Sequence, residues 1–209
     1  FPGKQVWIMY GQTEASPRVT WLPPEDVLRK LGSIGVEVPG VTVEIVDDGG
    51  RIVPAGESGE LTVIGDNVMM GYWKQPQATD KVLKDGRLYT GDLARRDDEG
   101  YIYITGRRRE IIKSGGNRVS AKEVEERILE HEKVAEATVF GVADDVLGEA
   151  VKAAVVLKPG CEADEREIQG HCQQTLAVHK VPRFVVFMTE LPKLQSGKVN
   201  KLVLQGEAR

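Results

Sequence analysis

The sequence of 209 residues predicts an α/β and α+β protein in two parts. The first part is the end of a large domain and finishes as a small antiparallel β subdomain; the second is a small α+β domain. Short strand-like segments separated by turns, from about residue 36 to 106, predict the β subdomain. A helix with a capping box begins only after residue 118. The pattern changes within "GRRREIIKSGGNR", residues 106–118, and this predicts a joint there.

The first part reads as a series of strands. "VWIMYGQTE" predicts a buried parallel strand over residues 6–10 that runs into a loop. Because such a strand needs neighbours, and because the chain begins at Phe1, we expect a larger N-terminal part upstream. Residues 17–35 read as an irregular connection, since they contain several prolines. "VTVEIVD" and "RIVPAG" predict a hairpin, and "GELTVIG" and "YIYITGR" predict two further strands.

The second part predicts two helices packed on a small sheet. Ser120 and Glu123 form a capping box, and Val124, Ile128 and Leu129 give the helix that follows an apolar stripe. Asp164 is expected to cap a second helix, "EREIQGHCQQTL". Three segments predict strands: "VAEATVFGV", "EAVKAAVVLK" and "RFVVFMTEL". "QSGKVNK" predicts a polar loop.

Composition excludes several classes of protein. The net charge of −4 disfavours a nucleic-acid binder. No apolar run approaches the roughly 18 residues that a membrane span needs, and no signal peptide opens the chain, so we expect a cytoplasmic protein. Cys161 and Cys172 match no metal or redox spacing and predict two reduced thiols. The three histidines are scattered and suggest no metal cluster.

Three segments contain side chains suited to chemistry. In "YGQTE", Tyr10 offers an aromatic face, Thr13 a hydroxyl and Glu14 a hard carboxylate suited to Mg²⁺. In "YTGDL", Asp92 follows a glycine between two predicted strands, and one carboxylate can accept both hydroxyls of a ribose. In "LPKLQSGKVNK", Lys198 lies in a loop that could carry its ammonium to a phosphate. Taken singly, these segments are better explained as an ordinary polar loop, a turn aspartate and an exposed lysine.

The order and spacing of six segments resemble one family. These segments are "YGQTE", "GELTVIGDNVMMGYW", "YTGDL", "GRRREIIKSGGNRVSAKEVE", "HKVPRFVVF" and "LPKLQSGK". The chain from Tyr10 nearly to its end resembles the C-terminal part of the adenylate-forming superfamily, which contains acyl-CoA synthetases, adenylation domains and luciferases. The resemblance implies an ATP-dependent acid–thiol ligase that makes an acyl-adenylate, releases pyrophosphate and passes the acyl group to coenzyme A. It also implies ATP or AMP, Mg²⁺ and CoA as bound groups, and a small-molecule carboxylic acid as substrate.

The resemblance also implies a role for each matching residue in the first half-reaction. Tyr10 would lie against the adenine, with Gly11 in the same nucleotide-binding segment. Thr13 would contact the α-phosphate or the adenylate, and Glu14 would help to hold Mg²⁺. Asp92 would bind the ribose hydroxyls, with Arg107 close to the same sugar. Lys198 would neutralise charge where the carboxylate meets the phosphate.

For the second half-reaction, the resemblance implies a rotation of the C-terminal domain that brings Lys113 into the site. Gly115 and Gly116 would lie beside the pantetheine tunnel, where the absence of side chains lets a thiol arm pass. Arg118 would position either the second state or the nucleotide end of CoA. The implied domains are residues 1–106, a hinge at 107–109 centred on Arg109, and a mobile domain at 110–209. Arg108 is then left as plain surface charge.

The sequence departs from the family pattern at three positions. Arg109 stands where Asp or Lys is usual, Leu194 where Thr is common, and Lys201 where Arg is common. The loop that grips the ATP phosphates is missing from this sequence, so we expect the isolated chain to lack full activity. An enzyme that loads a carrier protein, and a non-catalytic domain with the same fold, are the alternatives. The acid, the pathway and a homo-oligomeric state stay open.

Overall fold

The computed structural model describes residues 3–206 and divides into two compact units between Arg108 and Arg109. We call them the first unit and the second unit. The division falls inside the three residues that the sequence assigns to a hinge. A short 3₁₀ turn, Arg108–Glu110, spans the point of division. That residues 107–109 move as a hinge stays a prediction.

The first unit is built on antiparallel strands. They are β1 (Ile8–Tyr10), β2 (Thr20–Leu22), β3 (Ser33–Glu37), β4 (Val41–Val46), β5 (Ser58–Gly65), β6 (Leu83–Lys84), β7 (Arg87–Arg96) and β8 (Ile102–Arg107). Their hydrogen-bonded order is β1-β2-β3-β8-β7-β5-β4, and β6 pairs with β7. One helix, α1 (Pro76–Val82), precedes β6. The predicted antiparallel β architecture is confirmed.

The core of the first unit lies on one side of β4, β5 and β7. Val43 of β4 faces Val63 of β5 in the register of the two strands, and both side chains are buried with Leu88 of β7. Burial along β5 is nearly continuous from Gly59 to Val63. Since successive side chains of a strand point to opposite faces, this continuous burial means that both faces of β5 are covered over these residues.

Three details of the first unit differ from the sequence prediction. The first strand covers only residues 8–10, pairs antiparallel with β2, and leaves Trp7 and Met9 exposed in this chain. The segment 17–35, expected to be irregular, contains β2 and the start of β3. The predicted hairpin partner of β4 shrinks to one bridge between Val46 and Ile52, and the strand that pairs along the whole length of β4 is β5.

The second unit is an α+β domain, as predicted. It contains β9 (Ile111–Ser114), β10 (Asn117–Ser120), α2 (Ala121–Leu129), β11 (Val134–Asp144), β12 (Gly148–Leu157), α3 (Glu165–Gln173), β13 (Phe184–Phe187) and α4 (Lys201–Gly206). Its sheet has the order β10-β9-β12-β11, and β13 pairs parallel with β12.

Both faces of this second sheet are covered. Consecutive side chains of β11 point to opposite faces, so Val139 and Phe140 enter different apolar clusters. Val139 packs with Val124 and Ile128 of α2 and with Ile168 of α3. Phe140 packs instead with Leu191 and with Leu204 of α4.

The predicted helix caps are confirmed, and one predicted core residue is wrong. The Ser120 hydroxyl accepts a hydrogen bond from the Glu123 N–H at 3.4 Å, and the Asp164 carboxylate accepts one from the Glu167 N–H at 2.8 Å. Each cap satisfies a backbone donor that the helix itself leaves unpaired. Leu129, expected in the apolar stripe of α2, is 46% exposed because it is the last residue of that helix.

Candidate functional site

The first residue of the loop after β1 has room only for glycine. A Cβ on Gly11 would lie 1.5 Å from the carbonyl oxygen of Pro17. The chain then forms a 3₁₀ turn, Thr13–Ala15, in which Ala15 is fully buried and Thr13 is exposed. The close approach of Gly11 to Pro17 therefore fixes where the turn presents the Thr13 hydroxyl.

A second segment holds this turn from the other side. The amide of Asn67 donates to the carbonyl of Ala15 at 2.9 Å, and the Met69 N–H donates to the carbonyl of Glu14 at 2.8 Å. The Tyr72 hydroxyl donates to Glu14 Oε1 at 2.7 Å, and this hydrogen bond raises the pKa of Tyr72. Glu14 is thus a positioned carboxylate, with one oxygen engaged by a tyrosine.

Asp92 lies inside strand β7, whereas the sequence prediction placed it between two strands. The register between β5 and β7 shifts between Glu60 and Thr62, so β7 bulges around Gly91, whose φ is 76°. A bulge re-aims the side chain beside it, and only glycine adopts that φ at little cost. The Asp92 N–H donates to the Thr90 hydroxyl at 3.1 Å, which steadies the bulge.

The Asp92 carboxylate is buried and held at both oxygens. The Tyr10 hydroxyl donates to Oδ2 at 2.7 Å, and the Arg107 Nε lies 2.8 Å from Oδ1. Burial, with the hydrogen bond to Asp92, raises the pKa of Tyr10 far above its ordinary value, so Tyr10 stays a donor. Each carboxylate oxygen still has a lone pair for a further donor. The structure therefore brings three predicted site residues into direct contact.

Arg108 is not plain surface charge, contrary to the prediction. Its guanidinium lies 2.6 Å from Glu60 Oε2 and 2.8 Å from Asp48 Oδ1. Glu60 is buried, and its other oxygen accepts a hydrogen bond from the Gly91 N–H at 3.1 Å. Glu60 is a residue that the sequence prediction missed. Its signal was a carboxylate inside the otherwise apolar strand "GELTVIG".

In the second unit, β9 and β10 form a hairpin whose turn is Gly115–Gly116. The φ angles of these glycines are 57° and 80°, as a two-residue hairpin turn requires. Lys113 and Arg118 are direct partners in the register, so their side chains share one face of the hairpin. Like charges placed directly opposite each other destabilise a sheet. The hairpin therefore presents two cations side by side on one face.

A pocket of about 490 Å³ lies beside this hairpin, within the second unit. The residues that line it include Ser114, Gly115, Asn117, Gln169, His179 and Arg183. The pocket thus combines amide, imidazole and guanidinium groups with the glycine turn. Lys113 itself is exposed, and its N–H donates to Glu149 Oε2 at 2.6 Å.

Lys198 lies in a tight exposed loop of the second unit. The Leu194 N–H donates to the Lys198 carbonyl at 2.8 Å, and Lys193 forms an isolated bridge with Val199. Within residues 3–206 the Lys198 ammonium has no ion-pair partner. Arg109 is also exposed, in the 3₁₀ turn at the division of the units. Lys113, Lys198 and Arg109 thus belong to the second unit, whereas Tyr10, Asp92 and Arg107 belong to the first.

Glu14 fits a magnesium ion as one ligand of several. The part of the chain that the structure describes contains no group of three His, Cys, Asp or Glu side chains able to hold a metal by themselves. Mg²⁺ usually takes one or two carboxylates and completes its shell with water and substrate phosphates. A single fixed carboxylate beside a nucleotide segment is consistent with that mode.

Comparison with known proteins identifies the family. Residues 1–73 match the AMP-binding enzyme family, and residues 123–198 match the AMP-binding enzyme C-terminal domain. The chain belongs to the adenylate-forming superfamily. Tyr10, Gly11, Thr13 and Glu14 lie within the first match and Lys198 at the end of the second, and the remaining candidate residues, from Asp92 to Arg118, lie in the interval between the two.

Adenylate-forming relatives cover almost the whole chain. It is 44% identical over 205 residues, 98% of its length, to a long-chain-fatty-acid–CoA ligase of Yersinia pestis. An indoleacetate–CoA ligase of Aromatoleum aromaticum is 40% identical over 92% of the chain. The chain spans 36% and 38% of these two relatives. The structure of o-succinylbenzoate CoA synthetase from Bacillus subtilis with its acyl-adenylate intermediate gives a TM-score of 0.90 at 34% identity, covering 97% of this chain and 41% of that one.

Two further observations concern the environment of the protein. No helix among residues 3–206 is long and apolar enough to cross a membrane. Cys161 and Cys172 are both free thiols, and Cys172 is buried.

Proposed function

We propose that this chain is the C-terminal part of an AMP-forming acyl-CoA synthetase. The observation that carries the proposal is the Asp92 carboxylate, buried in a β-bulge and held between Tyr10 and Arg107. A buried carboxylate with one free lone pair on each oxygen suits a ribose diol. The family to which the chain belongs binds AMP, which supports a nucleotide at this position.

In the first half-reaction, a carboxylate oxygen of the acid attacks the α-phosphorus of ATP. An acyl–phosphate bond forms and the bond to pyrophosphate breaks. Tyr10 and Gly11 would bind the adenosine, Thr13 would contact the α-phosphate, and Lys198 would stabilise the charge that builds up between the two anions. Glu14 would hold Mg²⁺, which offsets phosphate charge when bound.

In the second half-reaction, the sulfur of CoA attacks the acyl carbonyl, and AMP leaves with the electron pair of the broken bond. The cations Lys113 and Arg118, opposite each other on the β9–β10 hairpin, support an anionic ligand at that face. The turn at Gly115 and Gly116 would let the thiol arm pass close to the backbone. Residues 107–109, with Arg109 at their end, would be the hinge between the two steps.

The acid substrate is proposed only as a class. Relatives with 40% to 44% identity to this chain are named for a long-chain fatty acid and for indoleacetate. Since acids so different occur among close relatives, the sequence of this region does not select between them. Fatty acids are the first candidates to test, and arylacetic acids the second. The proposal includes a cytoplasmic location, because two free thiols suit a reducing compartment.

The test separates the half-reactions in the full-length enzyme. Lys198→Ala should lower ATP–pyrophosphate exchange by about 100- to 1,000-fold, because a preorganised charge at the reacting phosphate is lost. The same variant should still transfer the acyl group to CoA from supplied acyl-adenylate. Lys113→Ala should show the opposite pattern, slow transfer with normal exchange.

Lys158→Ala is the matched control, since its ammonium contacts only the carbonyl of Glu132 and the charge change is the same. It should leave both half-reactions unchanged. Absence of pyrophosphate exchange by the unmodified enzyme with every acid of the panel would overturn the proposal. If the enzyme transfers the acyl group to a carrier protein but never to CoA, the acceptor is the carrier protein and not CoA.

A further inference from the structure

One lysine of the second unit joins three elements that are far apart in the sequence. Lys201 is the first residue of α4, and its Nζ lies 2.6 Å from Glu110 Oε2 and 2.9 Å from Glu125 Oε1. Glu110 ends the 3₁₀ turn that contains Arg109, and Glu125 lies in α2. The lysine side chain is 23% exposed, so these contacts are largely shielded from water.

Glu125 connects the lysine to the sheet as well. Its Oε1 also accepts hydrogen bonds from the Thr138 hydroxyl at 3.0 Å and from the Val139 N–H at 2.8 Å. Burial alone would lower the pKa of Lys201, but the two carboxylates outweigh it and raise that pKa, so the group stays charged. Losing the ammonium would leave two partly buried carboxylates without their cation, which is costly.

The other end of this network is the loop that contains Lys198. Lys198 precedes Lys201 by three residues, and the Asn200 N–H between them donates to the Pro192 carbonyl at 2.7 Å. The loop is closed on itself by the bonds of Leu194 with Lys198 and of Gly197 with Leu194. The loop is thus a small, internally bonded unit with two polar attachments to the rest of the domain. Lys193 Nζ lies 2.8 Å from Glu136 Oε2 of β11 at its start, and Lys201 binds Glu110 and Glu125 at its end.

We propose that Lys201 is a positioning residue, whose ion pairs with Glu110 and Glu125 hold the Lys198 loop in a fixed place relative to the segment that follows Arg109. This rests on the proposed role of Lys198 in adenylation. A catalytic ammonium misplaced by about 1 Å can lose about 100-fold in rate, so its loop needs a firm attachment. Because Glu110 immediately follows the division between the units, the same contact links the loop to the segment proposed to be the hinge.

The first test measures the attachment directly in this chain, by amide hydrogen exchange. Lys201→Met should speed exchange at Leu194 and Gly197 by about tenfold or more, because loop opening becomes easier. Lys201→Arg should restore slow exchange, since a guanidinium fork can bind both carboxylates. Lys180→Met is the matched control: Lys180 is 26% exposed and binds Glu123 of the same helix, α2. Equal exchange in the two methionine variants would overturn the proposal.

The second test uses the full-length enzyme. Lys201→Met should lower ATP–pyrophosphate exchange by about 10- to 100-fold and leave acyl transfer from supplied acyl-adenylate within about twofold. A general loss of folding would instead lower both activities together. Lys201→Arg should recover the exchange reaction, and Lys180→Met should not affect it.

Lys198→Ala, measured alongside, separates this proposal from the proposed function. If that variant keeps normal exchange, the role of Lys198 is wrong, and the amide exchange result still decides whether Lys201 holds the loop. If Lys198→Ala is impaired and Lys201→Met is not, the positioning role of Lys201 is wrong and the proposed function stands.

Discussion

At the scale of single residues, Asp92 depends on neighbours that come from different strands. Tyr10 belongs to β1 and Arg107 to β8, and both bind the carboxylate from β7. Each partner holds a different oxygen, so the carboxylate has one orientation. A nucleotide site built this way needs no rearrangement of Asp92 before the ribose binds.

Tyr10→Phe removes one of these two contacts. We expect it to lower the free energy of unfolding of the first unit by about 1–3 kcal/mol, the usual range for a hydrogen bond to a charged group. All three tryptophans, at positions 7, 21 and 73, lie in this unit, so urea unfolding followed by tryptophan fluorescence reports on it alone. Tyr89→Phe is the control, because among the described residues the Tyr89 hydroxyl has no hydrogen-bond partner. Equal urea midpoints for Tyr10→Phe and Tyr89→Phe would count against a stabilising hydrogen bond between Tyr10 and Asp92.

At the scale of elements, the β9–β10 hairpin depends on two glycines in the left-handed region. Gly116 has open space around its Cβ position and a φ of 80°. Gly170 also has open space, but it lies in helix α3 without a positive φ. The two positions differ in backbone conformation and are alike in the space around them.

This pair allows a direct measurement of backbone strain. Gly116→Ala should destabilise the second unit by about 1 kcal/mol, since a left-handed alanine is strained. Gly170→Ala should stabilise it by about 0.4–1 kcal/mol, since alanine restricts the unfolded chain and favours the helix. The rate at which a thiol reagent labels Cys172, in a Cys161→Ser background, measures the change in stability of the second unit in each variant. If labelling becomes faster in both variants or slower in both, the left-handed conformation assigned to Gly116 is contradicted.

At the scale of the whole molecule, each unit has an apolar core of its own. Leu61 is fully buried in the core of the first unit, and Ile128 is fully buried in the second. Cys172 is also fully buried in the second unit, and burial raises the pKa of its thiol to about 11, so it reacts only after that unit opens.

Core truncations should therefore act on one unit at a time. Leu61→Ala should cost about 2–5 kcal/mol and shift the tryptophan fluorescence midpoint, with Cys172 labelling unchanged. Ile128→Ala should speed Cys172 labelling and leave the fluorescence midpoint in place. If either variant moves both probes by similar amounts, the two units unfold together and the separate cores do not define independent folding units.

Much of the fold could be predicted from local patterns. The caps at Ser120 and Asp164 depend on residues three positions apart, and the alternation in "VTVEIVD" depends on neighbours in the same strand. Errors arose where a partner strand decides the outcome. The segment around Ile52 has a strand-like sequence, but it makes a single bridge to β4, whose full-length partner is β5. Leu129 fits the helical period, yet the helix ends there and leaves it exposed.

The sequence by itself determined the residue types of the candidate site and their order, because these follow from chemistry and from resemblance. Their contacts are set by the tertiary structure. The roles of Glu110, Glu125 and Lys201 were invisible in the sequence, since charged residues usually lie on the surface and local patterns do not show which of them are paired. Lys201 and Glu110 are 91 positions apart, and only the folded sheet and helices bring them to 2.6 Å. Pairing over such a distance is decided by packing of the whole domain.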